Sequence, residues 1–524
     1  MGRQGRCEAD GGGNDCRRID EARRKNTDAR ERDDVSQINR RDFLKTAGVA
    51  SAALALPGAP GGAATAAAQT RANETGAQRK KKKIIVVGAG LAGLVATYEL
   101  DRAGHDVVLL EAQLRPGGRV LTWRQEFSDG LHAEVGAARI LNTHELTLRY
   151  ARQFQLKLGP YFPTSGNLVN QVGGLDAAAP LGGHVHWPVA LTAAEERMGR
   201  IGMWEHYAAR EAKQLGNPAA PGWSPASFAD LDSIAFPQFL RRRGASAGAV
   251  RVMLLGMDYG DVSALRVLAE MAANGDVTAQ YKIVGGMDRL PRAMAERLSD
   301  RIRYGAAVQT IEHDKTGVRA GYLQGNLLRT LVADYLICTI PFPALRRVQF
   351  TPLLSDYKQT AVANTSYMSA ALVISQEQRR YWLSRGDNGF ARSDWPIEVT
   401  SPTFDQPGRR GLLTATLTGN LALRVSGLPE DRRIVTVQNE VETIFPGARE
   451  NFEGAVTKSW DNDFWERGAW QWFHTGQMTA YGPYMATPEG RVHFAGEHTS
   501  AWAGWMEGAI QSGVRAAKEV EEAA

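Results

Sequence analysis

The clearest pattern of hydrophobic and polar positions along the chain begins at Ile84. The run Ile84–Val87 is apolar and rich in β-branched residues, which predicts a buried strand, and Leu91–Ala103 has the apolar spacing of a helix. Asp106–Glu111 predicts a second strand that ends in an acidic residue. The order strand, helix, strand over about 30 residues is typical of a βαβ unit with parallel strands.

Beyond this unit, helical and strand patterns occur in blocks. Residues 190–280 are mostly helical in pattern, 282–340 return to strand and helix alternation, and 366–420 predict an antiparallel sheet. The individual predictions are helices at Thr143–Gln155, Ala193–Gln214, Phe236–Arg243, Ala264–Ala273 and from Trp502 to about Val520, and strands at Ile302–His313, Asp334–Ile340, Ala371–Ser375 and Leu412–Leu417. The stretch of about 440 residues that starts at Ile84 is long enough for two domains.

The first 83 residues have a different character. Residues 1–39 are polar and highly charged, so they cannot bury enough apolar surface to fold and are predicted to form a disordered leader. Arg40 and Arg41 precede a Phe-Leu-Lys string and a short apolar stretch, which is typical of a Tat-type signal peptide over residues 40–68. An amphipathic helix beside a basic cluster is the alternative. The signal predicts a periplasmic or secreted protein.

Charge and cysteine content exclude some function classes. The net charge of +5 comes from residues 1–83, because the remainder of the chain is slightly acidic, so a nucleic-acid partner is not expected. Cys7 and Cys16 lie in the leader and only Cys338 follows it, which leaves no disulfide and no cysteine-based metal site. His184 and His186 are predicted to be an exposed loop pair rather than a metal site, because no third ligand follows nearby. We therefore predict no metal.

Three glycines follow the first strand at the spacing of a dinucleotide-binding fingerprint. Gly88 permits the tight turn, Gly90 lets the backbone approach a pyrophosphate, and Gly93 allows the helix to pack closely on the strand. Glu111 lies at the distance where an acid accepts ribose hydroxyls. The alternative, a glycine-rich turn in an ordinary βαβ unit, is weakened because the strands, helix and acid are all present.

Three further motifs carry candidate chemistry. The Gly117-Gly118-Arg119 string places flexible backbone and a cation after the second strand. Gly136 would let the chain pass close to a flat ring, and Arg139 would then point beyond it and grip a carboxylate in bidentate fashion; the alternative is a surface arginine. Near the C-terminus, a Gly-Glu turn at Gly496–Glu497 precedes a second helix N-terminus that could stabilise negative charge.

Together, these motifs occur in the order seen in flavin-dependent amine oxidases, and the chain resembles the L-amino-acid oxidases within that superfamily over residues 84–524. The resemblance implies an α/β fold: an FAD-binding Rossmann-like domain of the glutathione-reductase type and a discontinuous substrate domain of mixed sheet and helices. It implies FAD-binding parts at 84–150, 281–345 and 490–524, a helical substrate part at 151–280 and a substrate-binding sheet domain at 346–489.

The resemblance also implies site residues. Arg139 would hold the substrate carboxylate, with Trp505 and Trp460 packed beside the flavin ring. Cysteine is absent from Arg467–Trp470, where monoamine oxidases attach their flavin, so FAD should be non-covalent. The implied cofactor-binding residues, of which Val308 would meet the adenine, are Gly88, Gly90, Gly93, Glu111, Gly118, Arg119, Gly136, Val308, Gly496, Glu497 and Met506.

The expected reaction is oxidation of an L-amino acid by hydride transfer, giving a 2-oxo acid, ammonia and hydrogen peroxide. Two departures from the family pattern leave alternatives open: Leu372 stands where a lysine is expected near the flavin, and Ile397–Pro402 lacks the expected tyrosine. The alternatives are a dehydrogenase using an acceptor other than oxygen, an amine substrate without a carboxylate, or a flavoprotein subunit of low activity. Predicted partners are the substrate, oxygen or another acceptor, and the Tat machinery; a homodimer is compatible.

Overall fold

A computed structural model describes residues 80–180, 182–395 and 397–523; the predicted leader and signal peptide lie outside the described residues. The strands in chain order are β1 Lys83–Val87, β2 Asp106–Leu110, β3 Thr122–Trp123, β4 Ala133–Glu134, β5 Ile140–Leu141, β6 Leu158–Pro160, β7 Asn167–Val172, β8 Leu175–Pro180, β9 Gln280–Ile283, β10 Ile302–Arg303, β11 Ala306–His313, β12 Val318–Gln324, β13 Leu327–Ala333, β14 Tyr335–Cys338, β15 Gln349–Thr351, β16 Ser366–Met368, β17 Ala370–Glu377, β18 Asp387–Ser393, β19 Ile397–Thr400, β20 Gly411–Thr418, β21 Phe452–Ser459, β22 Trp470–Trp472 and β23 Val492–Phe494.

The helices begin with the one that follows the fingerprint. In chain order they are α1 Leu91–Arg102, α2 Glu145–Gln153, α3 Ala193–Trp204, α4 Arg210–Gln214, α5 Ala229–Asp232, α6 Phe236–Arg242, α7 Ala247–Met253, α8 Ala264–Asn274, α9 Arg289–Arg297, α10 Phe342–Leu345, α11 Asp356–Asn364, α12 Gly419–Ser426, α13 Glu430–Ile444, α14 Ala448–Asn451, α15 Gln477–Tyr481 and α16 Met506–Glu522. In the described part of the chain, no helix combines the length and apolar character that crossing a membrane requires.

A five-stranded parallel sheet carries the fingerprint. Its strand order is β10-β2-β1-β14-β23, which brings together strands from the beginning, middle and end of the described chain. Ile84 and Val86 of β1 belong to one apolar core, whereas Ile85 and Val87 belong to the core on the other face. Burial on both faces explains why this strand is continuously apolar rather than alternating.

A seven-stranded sheet forms the second large layer, in the order β21-β17-β20-β19-β18-β7-β8. The antiparallel pairing of β17 with β20 confirms the sheet predicted over residues 366–420. The sheet also takes in β7 and β8, which lie two hundred residues earlier in the chain, and β7 pairs with β18 in parallel. Helices α12 and α13 cover one face, where Leu421, Val437 and Val441 are buried, so the opposite face is left to form a cavity wall.

The predicted helical region folds around its own apolar core between α3 and α8. The predicted helix Ala193–Gln214 is present, but it contains a π-helical turn at Glu205–Ala209 and a non-helical residue at Gly199. The strand predicted at Ile302–His313 is divided into β10 and β11. Gly305 has a φ of 65° between them, a left-handed conformation that turns the chain from one sheet into the next.

Candidate active site

A cavity of about 520 Å³ extends from the fingerprint turn to the seven-stranded sheet. Gly88 and Glu111 line one end, Gly136 lines the middle, and Arg139 and Trp505 line the far end. The cavity therefore joins the edge of the parallel sheet, where the strands end, to the face of the second sheet that no helix covers. Ligands of open α/β sheets bind at such carboxyl ends of strands.

The three fingerprint glycines have three different reasons to lack a side chain. Gly88 has a φ of 104° in the turn after β1, where a side chain would be strained. A Cβ on Gly90 would meet no atom within 4 Å, because this residue faces the cavity. A Cβ on Gly93 would lie 1.9 Å from the carbonyl oxygen of Gly88, so α1 packs directly on the turn. Gly93 thus supports the site without lining it.

The Glu111 carboxylate lies inside the fingerprint turn. Its Oε2 accepts a hydrogen bond from the backbone N–H of Ala89 at 2.6 Å, and its Oε1 accepts one from Gln113 N–H at 2.7 Å. Burial raises the pKa of Glu111 to about 7, although these two hydrogen bonds act in the opposite direction. Near neutral pH the Glu111 carboxyl group is therefore partly protonated, and it can either donate or accept a hydrogen bond. It lies where the sequence predicts the ribose hydroxyls.

Glu111→Gln should reduce the pH dependence of stability of the cofactor-free protein. Because the pKa is raised from 4.5 to about 7 by folding, the native state holds its proton after the unfolded chain has lost it. Stability therefore falls as the pH rises from about 4.5 to about 7, by on the order of 3 kcal/mol from this group. Urea unfolding of flavin-free protein at pH 5 and pH 7.5 checks this. The prediction would be contradicted if the free energy of unfolding changed equally with pH in wild type and in Glu111→Gln. As a control, substitution of the exposed Glu312 by glutamine should leave the wild-type pH dependence unchanged.

Arg119 contacts residues from separate segments of the chain at the wall of the cavity. Its Nη1 donates to Glu497 Oε1 at 2.8 Å and to the carbonyl of Ala469 at 2.9 Å, and its Nε lies 3.4 Å from Glu466 Oε2. The other oxygen of Glu497 accepts from Gly504 N–H at 2.6 Å. Burial alone would raise the pKa of Glu497, but Arg119 lowers it, so the carboxylate is ionised and paired. A pyrophosphate-holding role for Arg119 stays a prediction.

Gly136 allows an unusually close approach of two backbone segments. A Cβ at this position would lie 1.9 Å from the carbonyl oxygen of Arg119 and 3.3 Å from Trp460. The Trp460 indole donates to the carbonyl of Val135 at 2.8 Å and packs against Leu372. The sequence predicts that Gly136 lets the chain pass beside a flat ring, and this backbone contact is a second reason for a glycine here. Gly136 and Trp460 both line the cavity.

Arg139 projects into the far end of the cavity. Its guanidinium lies over the rings of Tyr161 at 5.6 Å and Trp505 at 5.7 Å, and among the described residues it forms no ion pair with a carboxylate. Burial alone would lower the pKa of Arg139, but the nearby Glu398 and Tyr161 raise it above its ordinary value. A half-buried, charged guanidinium that contacts Tyr161 but has no carboxylate partner among the described residues is suited to bind a carboxylate ligand. The alternative of a surface arginine is therefore wrong.

A tyrosine does lie beside Arg139, but not where the family pattern placed it. Tyr161 follows β6, whereas the family pattern expects the tyrosine within Ile397–Pro402. Tyr161 packs with Phe162 and Phe390 in a small aromatic cluster. No pattern in the neighbouring sequence marks Tyr161 as a site residue. Its segment comes next to Arg139 because β6 pairs with β9 and β9 pairs with β5.

Trp505 is held in place by a charged network from α8. Its indole donates to Glu270 Oε1 at 2.8 Å, and Arg266 donates to the other oxygen of Glu270 at 2.9 Å. Trp505 is also the N-cap of α16 and makes no side-chain cap there. The first N–H groups of α16 are therefore available at the cavity, where Met506 lies, as the second helix N-terminus in the sequence suggested.

The uncovered face of the seven-stranded sheet closes the cavity. Leu372 of β17 pairs with Thr416 of β20, which pairs with Glu398 of β19, and all three residues line the cavity. Leu372 is buried, so an apolar side chain stands where the family pattern expects a lysine. Among the described residues, Lys282 is the one lysine that lines the cavity, and its ammonium is engaged by Asp405 at 2.7 Å.

The structure brings nearly all the predicted site residues to one cavity. Every predicted cofactor-binding and catalytic residue lines it except Gly93. His498, which follows Glu497 directly, does not line it; its ring packs on Phe342 at 4.5 Å, and burial lowers its pKa to about 3. His206 is exposed on the π-helical turn and also lies outside the lining, and His184 and His186 form an exposed loop pair.

The cavity fits the dinucleotide that the sequence predicted. The open space beside Gly90 is where a pyrophosphate would approach the backbone, and the buried Glu111 carboxylate and Val308 lie at the end predicted for the nucleoside. Gly136 and Trp460 border the region predicted for the flat ring. Cys338, the one cysteine in the described part of the chain, is buried and does not line the cavity.

Comparison with known families supports this assignment. The profile described as flavin containing amine oxidoreductase matches residues 91–521. A second profile, the signal sequence of the twin-arginine translocation pathway, matches residues 37–57 and supports export through that pathway. The resemblance stated from the sequence motifs is thus confirmed.

Individual relatives and solved structures agree with the family profile. The Bacillus subtilis protein YobN is 31% identical over 86% of this chain and 96% of its own, and a flavin-dependent L-tryptophan oxidase from Lentzea aerocolonigenes is 31% identical over 84% and 98%. Cyclohexylamine oxidase from Brevibacterium oxydans shares the fold, with a TM-score of 0.73 at 22% identity over 84% of this chain and 99% of its own. The chain therefore belongs to the flavin containing amine oxidoreductase family and is a flavin-dependent oxidoreductase with a Tat signal sequence.

Proposed function

We propose that the protein is an exported L-amino-acid oxidase, which oxidises the C–N bond of an L-amino acid and yields a 2-oxo acid, ammonia and hydrogen peroxide. The observation that carries this proposal is Arg139, a half-buried guanidinium at the substrate end of the cavity that has no carboxylate partner among the described residues. An amine oxidase acting on simple amines has no use for such a charge, whereas an amino acid supplies the missing carboxylate.

The cofactor in this proposal is non-covalent FAD, and oxygen is its electron acceptor. The absence of a cavity-lining cysteine among the described residues favours non-covalent binding. Glu111 would accept the adenosine ribose, the turn at Gly88–Gly90 would hold the pyrophosphate, and Val308 would contact the adenine. When bound, FAD supplies two-electron chemistry, the acceptance of a hydride from the substrate Cα and transfer of electrons to an acceptor.

This assignment implies which segments of the chain bind FAD and which surround the substrate. Segments 84–150, 281–345 and 490–524 would hold FAD, while 151–280 and 346–489 would form the substrate side. The face of the seven-stranded sheet and the α8 helix enclose the substrate end of the cavity. A homodimer is compatible with this arrangement.

The chain's own residues would bind and orient the substrate. Arg139 would hold the α-carboxylate in a bidentate grip, which fixes which face of the α-carbon is presented for oxidation. Trp505 and Trp460, both held by hydrogen bonds, would serve as rigid walls. The apolar side chain of Leu372 would exclude water from this region, and the imino acid would be hydrolysed by water to the 2-oxo acid and ammonia.

The proposal is tested by anaerobic mixing of the purified holoprotein with L-amino acids, their D-enantiomers and simple amines. Loss of the oxidised-flavin absorbance with L-amino acids only is the expected result. Reduction by amines but not by amino acids would overturn the substrate assignment. After admission of air, peroxide and ammonia should form in equal amounts.

A second candidate is a dehydrogenase that passes electrons to an acceptor other than oxygen. Leu372 is the observation that favours it, because no ammonium from the described residues stands at the position where the family pattern places a lysine. Reduction by substrate followed by reoxidation, timed separately with oxygen and with a cytochrome or quinone, discriminates the two. A low-activity flavoprotein subunit would show slow reduction with every substrate.

Leu372→Lys should accelerate reoxidation of the reduced protein by oxygen. An ammonium placed in this buried wall would stabilise the negative charge that develops on oxygen, and we expect an increase of about tenfold. Stopped-flow reoxidation in air-saturated buffer measures the rate. Leu372→Met, which retains an apolar side chain of similar volume, should react at the wild-type rate, and equal rates for the lysine and methionine variants would contradict the argument.

A further inference from the structure

We propose that Glu398 makes the enzyme selective for L-amino acids with a cationic side chain, of which arginine is the best match. This inference rests on the proposed function, because it assumes that Arg139 holds the α-carboxylate. It concerns the part of the cavity farther from Leu372, where the substrate side chain would extend.

Glu398 is placed at the correct distance for the far end of a long side chain. Its register partner is Thr416, whose partner on the other side is Leu372, so Glu398 and Leu372 share one face and lie two strands apart. Two strand spacings correspond to about 10 Å. With the α-amine placed beside Leu372, where the family pattern puts the flavin, this separation suits a terminal ammonium or guanidinium.

The Glu398 carboxylate has unused hydrogen-bonding capacity. Its one ion pair among the described residues is with Arg392, at 3.5 Å, and its side chain is 23% exposed. The other carboxylates at this end are fully engaged: both oxygens of Glu270 accept from Arg266 and Trp505, and both oxygens of Asp258 accept backbone N–H groups. Glu398 is therefore the carboxylate that remains available to a ligand.

The two arginines nearest Glu398 stay outside the lining of the cavity. Arg392 and Arg200 lie close to Glu398 but do not line the cavity, and Arg200 is committed to the carbonyls of Val252 and Met253. Four other charged residues that line the cavity are engaged by protein groups, namely Arg266, Glu270, Asp258 and Lys282. A ligand at this end therefore meets Arg139 and Glu398 as the less committed cation and anion, and these two form no ion pair with each other. An amino acid with a carboxylate at one end and a cation at the other complements both.

Aromatic rings flank the space between these charges. Tyr161, Phe390 and Phe404 form a cluster that lines the cavity. The rings in this region already accept cations from the protein, since Arg139 lies over Tyr161 at 5.6 Å and Lys282 over Phe404 at 4.3 Å. Aromatic faces together with a carboxylate are the chemistry that binds a guanidinium, and they would bind a second carboxylate poorly.

The experiment compares matched substrate pairs on the holoenzyme by anaerobic flavin reduction. Arginine is paired with citrulline, which keeps its shape without the charge, and lysine with norleucine, which lacks the terminal ammonium. For wild type we expect the cationic member to be preferred. In E398Q the arginine-to-citrulline ratio of kcat/KM should fall about tenfold or more. Glu312→Gln, which is exposed on a different sheet, should retain the wild-type ratio.

The outcomes separate this inference from the proposed function. Preference of wild type for citrulline, phenylalanine or glutamate over arginine would overturn the role of Glu398 while leaving an L-amino-acid oxidase in place. An unchanged ratio in a flavin-loaded E398Q protein would do the same. Failure of all these amino acids to reduce the flavin would overturn the proposed function itself.

Discussion

Arg139→Ala is expected to lower kcat/KM for L-amino acids by about a hundredfold or more. Removing one partner of a buried charged pair costs about 2–5 kcal/mol, because the substrate carboxylate would be left desolvated without a counterion. The grip also positions the α-carbon, so the loss should affect kcat as well as KM. The rings of Trp505 and Tyr161 lie 5.7 Å and 5.6 Å from the guanidinium and would border the vacated space.

Steady-state kinetics with an amino acid and with the matching decarboxylated amine measure this effect. The amino-acid-to-amine ratio should collapse in the alanine variant and fall less in Arg139→Lys, which retains the charge but not the planar fork. Retained flavin absorbance shows that the variants are folded. A ratio equal to that of wild type in both variants would show that Arg139 does not contact the carboxylate.

Substitutions at Gly90 and Gly93 should separate cofactor binding from folding. Gly90→Val should yield a folded protein largely devoid of flavin, because a Cβ at Gly90 meets no protein atom within 4 Å and the side chain would fill the space predicted for the pyrophosphate. The backbone there has a φ of −68°, which valine adopts readily. Gly93→Ala should instead lower the free energy of unfolding by about 1–3 kcal/mol, since its Cβ would overlap the carbonyl of Gly88.

Urea unfolding of the flavin-free proteins and the flavin-to-protein absorbance ratio after purification check this pair. We expect Gly90→Val to unfold at the wild-type urea concentration and to lack flavin. Gly93→Ala should unfold at a lower concentration. A Gly90→Val protein that keeps a full complement of flavin would place the cofactor away from the fingerprint, and a Gly93→Ala protein as stable as wild type would contradict the packing argument.

Helices and strands were predicted well where the pattern of hydrophobic residues within a short stretch of sequence determines them. The strand at Ile84, the helix at Leu91 and the strand at Asp106 occur as predicted, because continuous burial and helical spacing are properties of adjacent residues. Short interruptions were less predictable. The break at Gly305 and the π-helical turn at Glu205–Ala209 depend on which neighbouring element each segment packs against.

The candidate site was predicted more completely on its cofactor side than on its substrate side. Glycines and an acid at fixed spacing indicate a dinucleotide, since backbone approach to a phosphate has strict steric requirements. The substrate end draws Tyr161, Glu270 and Glu398 from separate segments that no local pattern links. The sequence did not indicate Glu398 as a site residue, although it lies within Ile397–Pro402, where the family pattern expects a tyrosine.

From the amino-acid sequence alone follow the βαβ unit, the binding of a dinucleotide, the export signal and the candidate carboxylate-binding Arg139. These features depend on short-range spacing and on residue chemistry. The joining of β7 to β18, the tyrosine beside Arg139 and the pairing of Glu398 with Thr416 arise only in the folded chain. Long-range strand pairing brings these residues together, because burial of apolar faces, rather than proximity in sequence, selects which segments become neighbours.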